Sequence, residues 1–423
     1  YRAIAPQITL RRTMSEQYGV DLLSKSDAQI AEAVICSEVA KVTGDYPSKP
    51  GASVPRRFKY VPPAFVAFST PPLQEMLAAV REMAFAVAEN GSPKCAALDD
   101  YKIAIGTTTY RMGVGGLHSC EKSVAHVADE DHIIVDRDVA SYYPAIILNC
   151  ELYPKHIGSE FLTVYRSIVQ RRLEAKRAKN TVVAESLKIT INGSFGKFGS
   201  IYSRLYSPDL LIQTTVTGQL SLLMLIESLE SHDISVVSAN TDGIVIRCPR
   251  SKVAEMNDLI KLWEFFTGFE TEETRYRALY AKDVNNYIAV KDDGIKTKGL
   301  YAEGSLKKHP FTEVCTDAVI AYLTARTPLE KTIADCTDVS KFVSIRGVKG
   351  GGQYAGEPLG KVVRWYYSTT SSACITYATN GNKVPKTDGA RPLMTLPSKL
   401  PEDVDFAWYA NEARAILKAL GTK

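Results

Sequence analysis

Apolar positions recur at helical spacing through residues 8–40 and again from Leu73 to Glu89. Between them Gly44–Pro63 carries five prolines and two glycines, which break either period and predict an extended loop. From Tyr101 to Leu117 short β-rich runs are interrupted by Gly113, Gly115 and Gly116, and His132–Val139 reads as a strand burying Ile133, Ile134 and Val135. Two charged helices follow, Phe161–Lys179 and Thr181 to about Phe195, closed by Gly196 and Gly199 and predicted to form an antiparallel hairpin. A long helix from about Pro208 to Ser231 leads into Ile234–Val237 and Ile244–Arg247, with Asn240–Gly243 between them and Asp242 at the hairpin turn. A second hairpin, Asn286–Val290 with Ile295–Tyr301, turns at Asp293-Gly294. Beyond Pro310 the pattern reads mainly helical, interrupted by the Gly-rich run Gly347–Gly360.

A chain of 423 residues exceeds one compact core, so two to four subdomains around a cleft are expected. Apolar residues make up 45% and charged residues 23%, ordinary for a globular protein, and no stretch is read as approaching the roughly 20 apolar residues of a membrane helix. The net charge of +4 permits an anionic partner without demanding one. The eight cysteines lie far apart with no CxxC pair, which predicts free thiols rather than a disulfide framework or a zinc site. The chain opens Tyr1-Arg2-Ala3 with neither Met nor a signal-peptide pattern, so an upstream segment is expected.

Chemistry begins at the end of the first apolar strand. Asp138 leaves the sheet edge where a metal and a triphosphate could reach it, although a lone Asp there ordinarily caps a turn. Asp136-Arg137-Asp138 is also a DxD, the pair that some glycosyltransferases use for a metal-bound nucleotide sugar. Asn240-Thr241-Asp242-Gly243 is, by itself, an ordinary hairpin turn. Together, two acidic groups from adjacent strands could hold two divalent ions about 3.5–4 Å apart for phosphoryl transfer. Arg172, Lys176 and Lys179 form one basic stripe at i, i+4 and i+7, and Lys188 and Asn192 stand one helical turn apart.

The order of these strings carries a resemblance. Asp138-Val139-Ala140-Ser141-Tyr142-Tyr143-Pro144 resembles the DxxSLYPS motif A of family B DNA polymerases, with Tyr142 for Leu. Lys188 to Gly196 resembles motif B, Kx3NSxYG, with Gly193 for Ser and Phe195 for Tyr; Asn240–Gly243 resembles motif C, YxDTDS, with Asn240 for the first Asp and Gly243 for Ser. Lys282 to Tyr287, then Lys296-Thr297-Lys298-Gly299, looks like the KxY region and the KG strand after it, with Asn285 where Lys is usual. Gly113–Gly116 is similar to the YxGG template-binding segment of phage enzymes, with Gly113 for Tyr. The likeness covers about residues 110 to 305.

The resemblance implies that Asp138 and Asp242 are the catalytic metal ligands, with the Val139 backbone, and that Mg2+ is the metal, two ions, with Mn2+ as a substitute. It implies that Ser141, Tyr142, Tyr143, Arg172, Lys176, Lys188 and Asn192 bind the nucleotide, Tyr143 as the gate against a 2′-hydroxyl; Arg171 is an alternative to Arg172. Gly115, Gly116, Lys282, Tyr287, Lys298, Lys349 and Arg364 would contact DNA. The implied fold is α+β, a right hand with an antiparallel-sheet palm (111–150 and 201–305), helical fingers (151–200) and a mostly helical thumb (306–423), preceded by an N-terminal remnant (1–110). The implied activity is template-directed addition of deoxynucleotides to a primer, by a monomer acting on primer-template DNA and dNTPs with no membrane partner, in phage replication within the cytoplasm of an infected bacterium. No DxE pattern leads an apolar strand before residue 110, so any proofreading site is expected upstream. The motifs stand about fifty residues apart, which leaves little room for terminal-protein insertions, so ordinary primer extension is expected. The rivals are a DNA-binding remnant that has lost activity with Asn240, and a DxD glycosyltransferase, which leaves Lys188, Asn192 and Asp242 unexplained. A reverse transcriptase or RNA polymerase fits Tyr143 poorly and lacks the adjacent Asp-Asp pair.

Overall fold

The computed structural model describes residues 5–51, 54–302, 304, 308–309 and 312–422. The first helical stretch is two helices, α1 (Ala5–Tyr18) and α2 (Asp27–Thr43), separated where Gly19 takes a φ of 68°. α2 begins after Ser26, whose N–H donates to Gln29 Oε1 at 2.9 Å, and ends at Gly44 with φ 85°. An acceptor on the first turn and a left-handed glycine after the last satisfy end groups that a helix cannot pair internally. β1 (Arg57–Lys59), α3 (Pro71–Glu82), β2 (Ala84–Val87) and β3 (Pro93–Lys94) follow, the strands pairing in order β1-β2-β3. α3 stops at Glu82, short of the Glu89 that periodicity predicts, because Ala84–Val87 are taken up by antiparallel pairing with β1 and β3.

The centre of the chain follows its pattern closely. It runs β4 (Lys102–Ile105), β5 (Thr108–Arg111), β6 (His118–Ser119), β7 (Val124–Val127), β8 (His132–Val139), α4 (Tyr142–Asn149), α5 (Glu160–Arg177), α6 (Thr181–Phe198) and α7 (Pro208–Glu230). β9 (Ser235–Asn240), β10 (Gly243–Pro249), α8 (Val253–Thr267), β11 (Thr271–Tyr276), β12 (Ala278–Asp283), β13 (Asn286–Val290) and β14 (Ile295–Lys298) come next. Lys179, placed on the basic stripe by spacing, lies beyond the end of α5 at a φ of 54°, so the stripe stops at Lys176. Gly196 is inside α6 and Gly199 alone ends it.

Two compact units share the chain, Tyr1–Ser119 with Asp136–Glu273, and Cys120–Val135 with Thr274–Lys423. In the first, the N-terminal helices share one core with the helical hairpin: Met14, Tyr18, Ile30 and Val34 pack with Phe161, Tyr165, Leu187, Ile191 and Phe198. At Gly193, a Cβ would meet Asp27 O at 2.8 Å and Ala31 Cβ at 2.9 Å, so the serine usual in motif B has no room under α2. α7 is long and apolar enough to cross a membrane by length and composition, contrary to the expectation that no stretch is. Leu220, Leu222, Leu223 and Ile226 on it are completely buried, which marks the central helix of a core. The strand order beside it is β11-β8-β10-β9-β6-β5-β4.

The second unit corrects the sequence reading. After β15 (Lys308–His309), α9 (Glu313–Ala325) and α10 (Leu329–Asp335) comes a long hairpin, β16 (Ser344–Tyr354) and β17 (Glu357–Tyr367), then β18 (Thr376–Tyr377), β19 (Ala390–Pro392) and α11 (Phe406–Ala419). These strands form one antiparallel sheet, and β14-β13-β12-β7 form another. The expected mostly helical region is thus sheet and helix together. Val362-Val363 and Trp365–Tyr367 favour extended backbone, and Gly350, Gly351 and Gly360 take φ of 80–94°, where register shifts let the hairpin bend.

Candidate active site

Asp138 sits one residue before the end of β8, and Asp242 occupies the second position of the two-residue turn between β9 and β10, whose flanking residues Asn240 and Gly243 are register partners. The turns meet through the backbone, since Val139 N–H donates to Asp242 O at 2.7 Å. A Cβ on Gly243 would fall on Asp138 Oδ1, so the glycine that replaces the serine of motif C leaves the space that the Asp138 carboxylate fills. Thr241 has a φ of 63°, and the Asp242 N–H bonds back to Asn240 O at 2.7 Å, a tight turn that costs a β-branched residue on the order of 1–3 kcal/mol. Asp136, the other carboxylate of the DxD string, is 5% exposed.

Beside Asp242 opens a cavity of about 370 Å³ lined in part by Ser141, Tyr143, Arg172, Ile191 and Phe195. Ser141 is left-handed, φ 51°, and begins α4; its Oγ accepts from Arg172 Nη1 at 2.8 Å. That bond selects Arg172 over its neighbour, because Arg171 turns to Glu38 at 3.8 Å and lies over the Tyr18 ring. The Tyr143 and Phe195 rings stack at 4.3 Å between centres. Burial, with the nearby Asp242 carboxylate, pushes the Tyr143 phenol up to about 12, so it stays neutral. Tyr142 is buried, donates to Gly218 O at 2.6 Å and packs edge-on against Phe269, so it forms the floor of the cavity with its hydroxyl already engaged. Gly218 leaves room for this larger ring in place of leucine, its absent Cβ being 3.3 Å from Tyr142 Cε1.

Other expected residues are arranged differently. Lys176 faces Glu272 at 3.9 Å and Lys188 faces Glu185 at 3.5 Å, and neither lines the cavity. The side chain of Asn192 lies outside the described residues; its backbone is in α6. Gly115 and Gly116 border a second, smaller hollow with Arg111 and His118. In the second unit Tyr287 and Lys298 are register partners, the Lys298 ammonium 5.9 Å from the Tyr287 ring centre, while Lys282 O accepts from Ser123 N–H. Lys349 and Arg364 are exposed on β16 and β17.

Two residues escape the sequence reading: Ile191, which lines the cavity, and Gln219, whose side-chain amide bonds to Gly113 and Gly115. The signal for Ile191 was its place one turn before Phe195 on α6; for Gln219 it was an amide, one of two with Gln213, on a long helix without charge between Asp209 and Glu227.

The oxygens of Asp138 and Asp242 suit a hard divalent cation. Among the described residues no group of three or more His, Cys, Asp or Glu could hold a metal, so an ion here would complete its shell from backbone, water or a phosphate, as Mg2+ does.

No family model matches the chain. It is 32% identical over 135 residues to "DNA polymerase 1" of Aeropyrum pernix, a match covering 31% of this chain and 14% of that protein. It is 25% identical over 132 residues to "DNA polymerase 1" of Sulfolobus acidocaldarius, covering 31% and 15%. The fold is similar to that of the family B DNA polymerase from the hyperthermophilic archaeon Pyrobaculum calidifontis, with a TM-score of 0.51 at 13% identity over 99% of this chain and 54% of that one. Over part of their length the chain is homologous to these two DNA polymerases, and it shares its fold with a family B DNA polymerase.

Proposed function

We propose that the chain is the catalytic part of a template-directed DNA polymerase that extends a primer with deoxynucleotides. The observation that carries this reading is the Val139 N–H bond to Asp242 O, which sets the two aspartate-bearing turns side by side at the cavity that Arg172 and Tyr143 enter. Bound there, two Mg2+ ions, with Mn2+ as a substitute, would activate a primer hydroxyl and neutralise pyrophosphate. Asp138 and Asp242 would hold them, with backbone oxygen from Val139. Arg172, already bonded to Ser141, turns its remaining donors to the triphosphate. The Tyr143 ring, fixed by Phe195, blocks a 2′-hydroxyl. Lys176 and Lys188 would exchange Glu272 and Glu185 for the triphosphate and, with Asn192, complete the grip from the helical hairpin, in the role of fingers, and the β8–β10 sheet serves as palm.

Gly115 and Gly116 contact the template backbone, and Lys282, Tyr287, Lys298, Lys349 and Arg364 contact duplex phosphates, which makes binding salt-dependent. A bacteriophage setting in a bacterial cytoplasm rests on the motif resemblance alone; the relatives named above are archaeal. Asp136 lies buried in the sheet, which disfavours a DxD glycosyltransferase.

The test is primer extension with Mg2+ and either deoxy- or ribonucleotides, alongside Asp242→Asn. Extension with deoxynucleotides that the variant abolishes supports the reading. Retained DNA binding without extension would favour a remnant, and extension surviving the substitution would sink the metal assignment.

A further inference from the structure

Gln219 is 1% exposed, inside the buried stretch of α7. A buried primary amide must spend its two donors and its acceptor on protein partners. Gln219 spends most of them on one loop: Oε1 accepts from Gly113 N–H at 3.1 Å, and Nε2 donates to Gly113 O at 2.8 Å and Gly115 O at 2.7 Å. A further contact, Nε2 to Thr215 O at 3.2 Å, ties the amide to its own helix. The carbonyls accept only from Nε2 and the amide N–H donates only to Oε1, so the loop fixes the orientation of the side chain and the side chain fixes the loop.

The loop then bears on the catalytic turn. The missing Cβ of Gly116 would stand 2.6 Å from Thr241 Oγ1, and Thr241 N–H donates to Leu117 O at 2.8 Å. Thr241 is the left-handed residue that aims Asp242. A strained conformation persists only where its surroundings over-determine it, and the next bond in the series, Val139 N–H to Asp242 O, ends beside Asp138.

We propose that Gln219 is a positioning residue for Asp242, acting through residues 113–117 to hold Thr241 in its turn. The proposal rests on reading Asp138 and Asp242 as the metal-binding pair, and it makes the glycine loop part of the catalytic geometry in addition to any contact with DNA.

The experiment compares the full chain with Gln219→Leu, Gly116→Ala and the double variant by hydrogen exchange, thermal melting and primer-extension kinetics. Gln219→Leu is expected to speed exchange at 113–117 and at 240–243 together, roughly tenfold, with the remainder of α7 unchanged. kcat should fall roughly tenfold with the KM for dNTP within about twofold, and the two substitutions should combine non-additively because they act on one loop. Exchange that rises at 113–117 alone, or additive kinetic effects, overturns the proposal. Were Gln219→Leu to unfold, Gly116→Ala would carry the test: its Cβ presses on Thr241 directly, and unchanged exchange at 240–243 with unchanged kcat overturns the proposal. If the wild-type chain extends no primer, the polymerase reading fails, while the exchange measurements still decide whether Gln219 holds the turn.

Discussion

The turn after Asp138 adds side-chain anchors from Ser141 and Tyr142 to its backbone bonds, whereas the turn bearing Asp242 is approached closely by neighbouring backbone at Gly116 and Gly243. Ser141 starts α4 and takes a hydrogen bond from Arg172, while Tyr142 anchors the helix through its hydroxyl on Gly218 O. In the second turn Thr241 Oγ1 donates to Asn240 Oδ1 at 3.3 Å, and backbone bonds to neighbouring segments add to this. Thr241 hangs from Leu117 O, Asp242 O from Val139 N–H, and Gly116 and Gly243 leave the gaps into which Thr241 and Asp138 fit. At these two glycines an added methyl group meets Thr241 or the Asp138 carboxylate directly.

That contrast can be broken most severely at the carboxylates. Asp138→Asn should lower kcat for primer extension by about 10³-fold or more with little change in melting temperature; activity within tenfold of wild type would remove Asp138 from the metal site. Gly243→Ser restores the residue usual in motif C, yet here its Cβ displaces the Asp138 carboxylate, so kcat should drop about 100-fold. A more active serine variant would show that the turn relaxes cheaply. Arg172→Lys is expected to raise the KM for dNTP about tenfold, since the planar fork is lost, whereas Arg171→Lys, on the Glu38 side, should leave it within about twofold. Phe195→Ala removes a stack worth about 0.5–1.5 kcal/mol and should loosen discrimination against ribonucleotides severalfold.

The smallest effect concerns the second unit. Asp403 is buried enough to favour its neutral form, but hydrogen bonds from Ser368, Thr370 and Tyr366 and the Arg391 charge outweigh this and lower it to about 2. A depressed carboxylate stabilises the fold above its unfolded value, and that contribution disappears as pH falls toward 2. Asp403→Asn should therefore melt lower than wild type at pH 7 and converge with it near pH 2, as followed by circular dichroism. An equal gap at both pH values would show that the charge contributes nothing.

How far the site was legible depended on what holds each part. β8, α7 and the β9–β10 hairpin came from periodicity and turn chemistry because the pattern that signals each, an apolar run or a turn string, is carried by residues adjacent in the chain. Lys176 and Lys188 were placed by helical spacing, but spacing fixes only a helix face, and neighbouring glutamates take both ammonium groups. β16 and β17 were misread because glycines in the run mask the alternation, and only pairing across the hairpin makes it extended.

By itself the sequence determined the two aspartates, their order along the chain and the basic helical hairpin between them. These are matters of residue identity and local period. Tertiary structure decided that Arg172 rather than Arg171 reaches the cavity, that Gly193 and Gly243 stand where serine would clash, and that Gln219 grips the glycine loop. The physical reason is common to all three: each depends on the closeness of two segments distant in the chain, and that distance exists only after the core around α7 and the helical hairpin has packed.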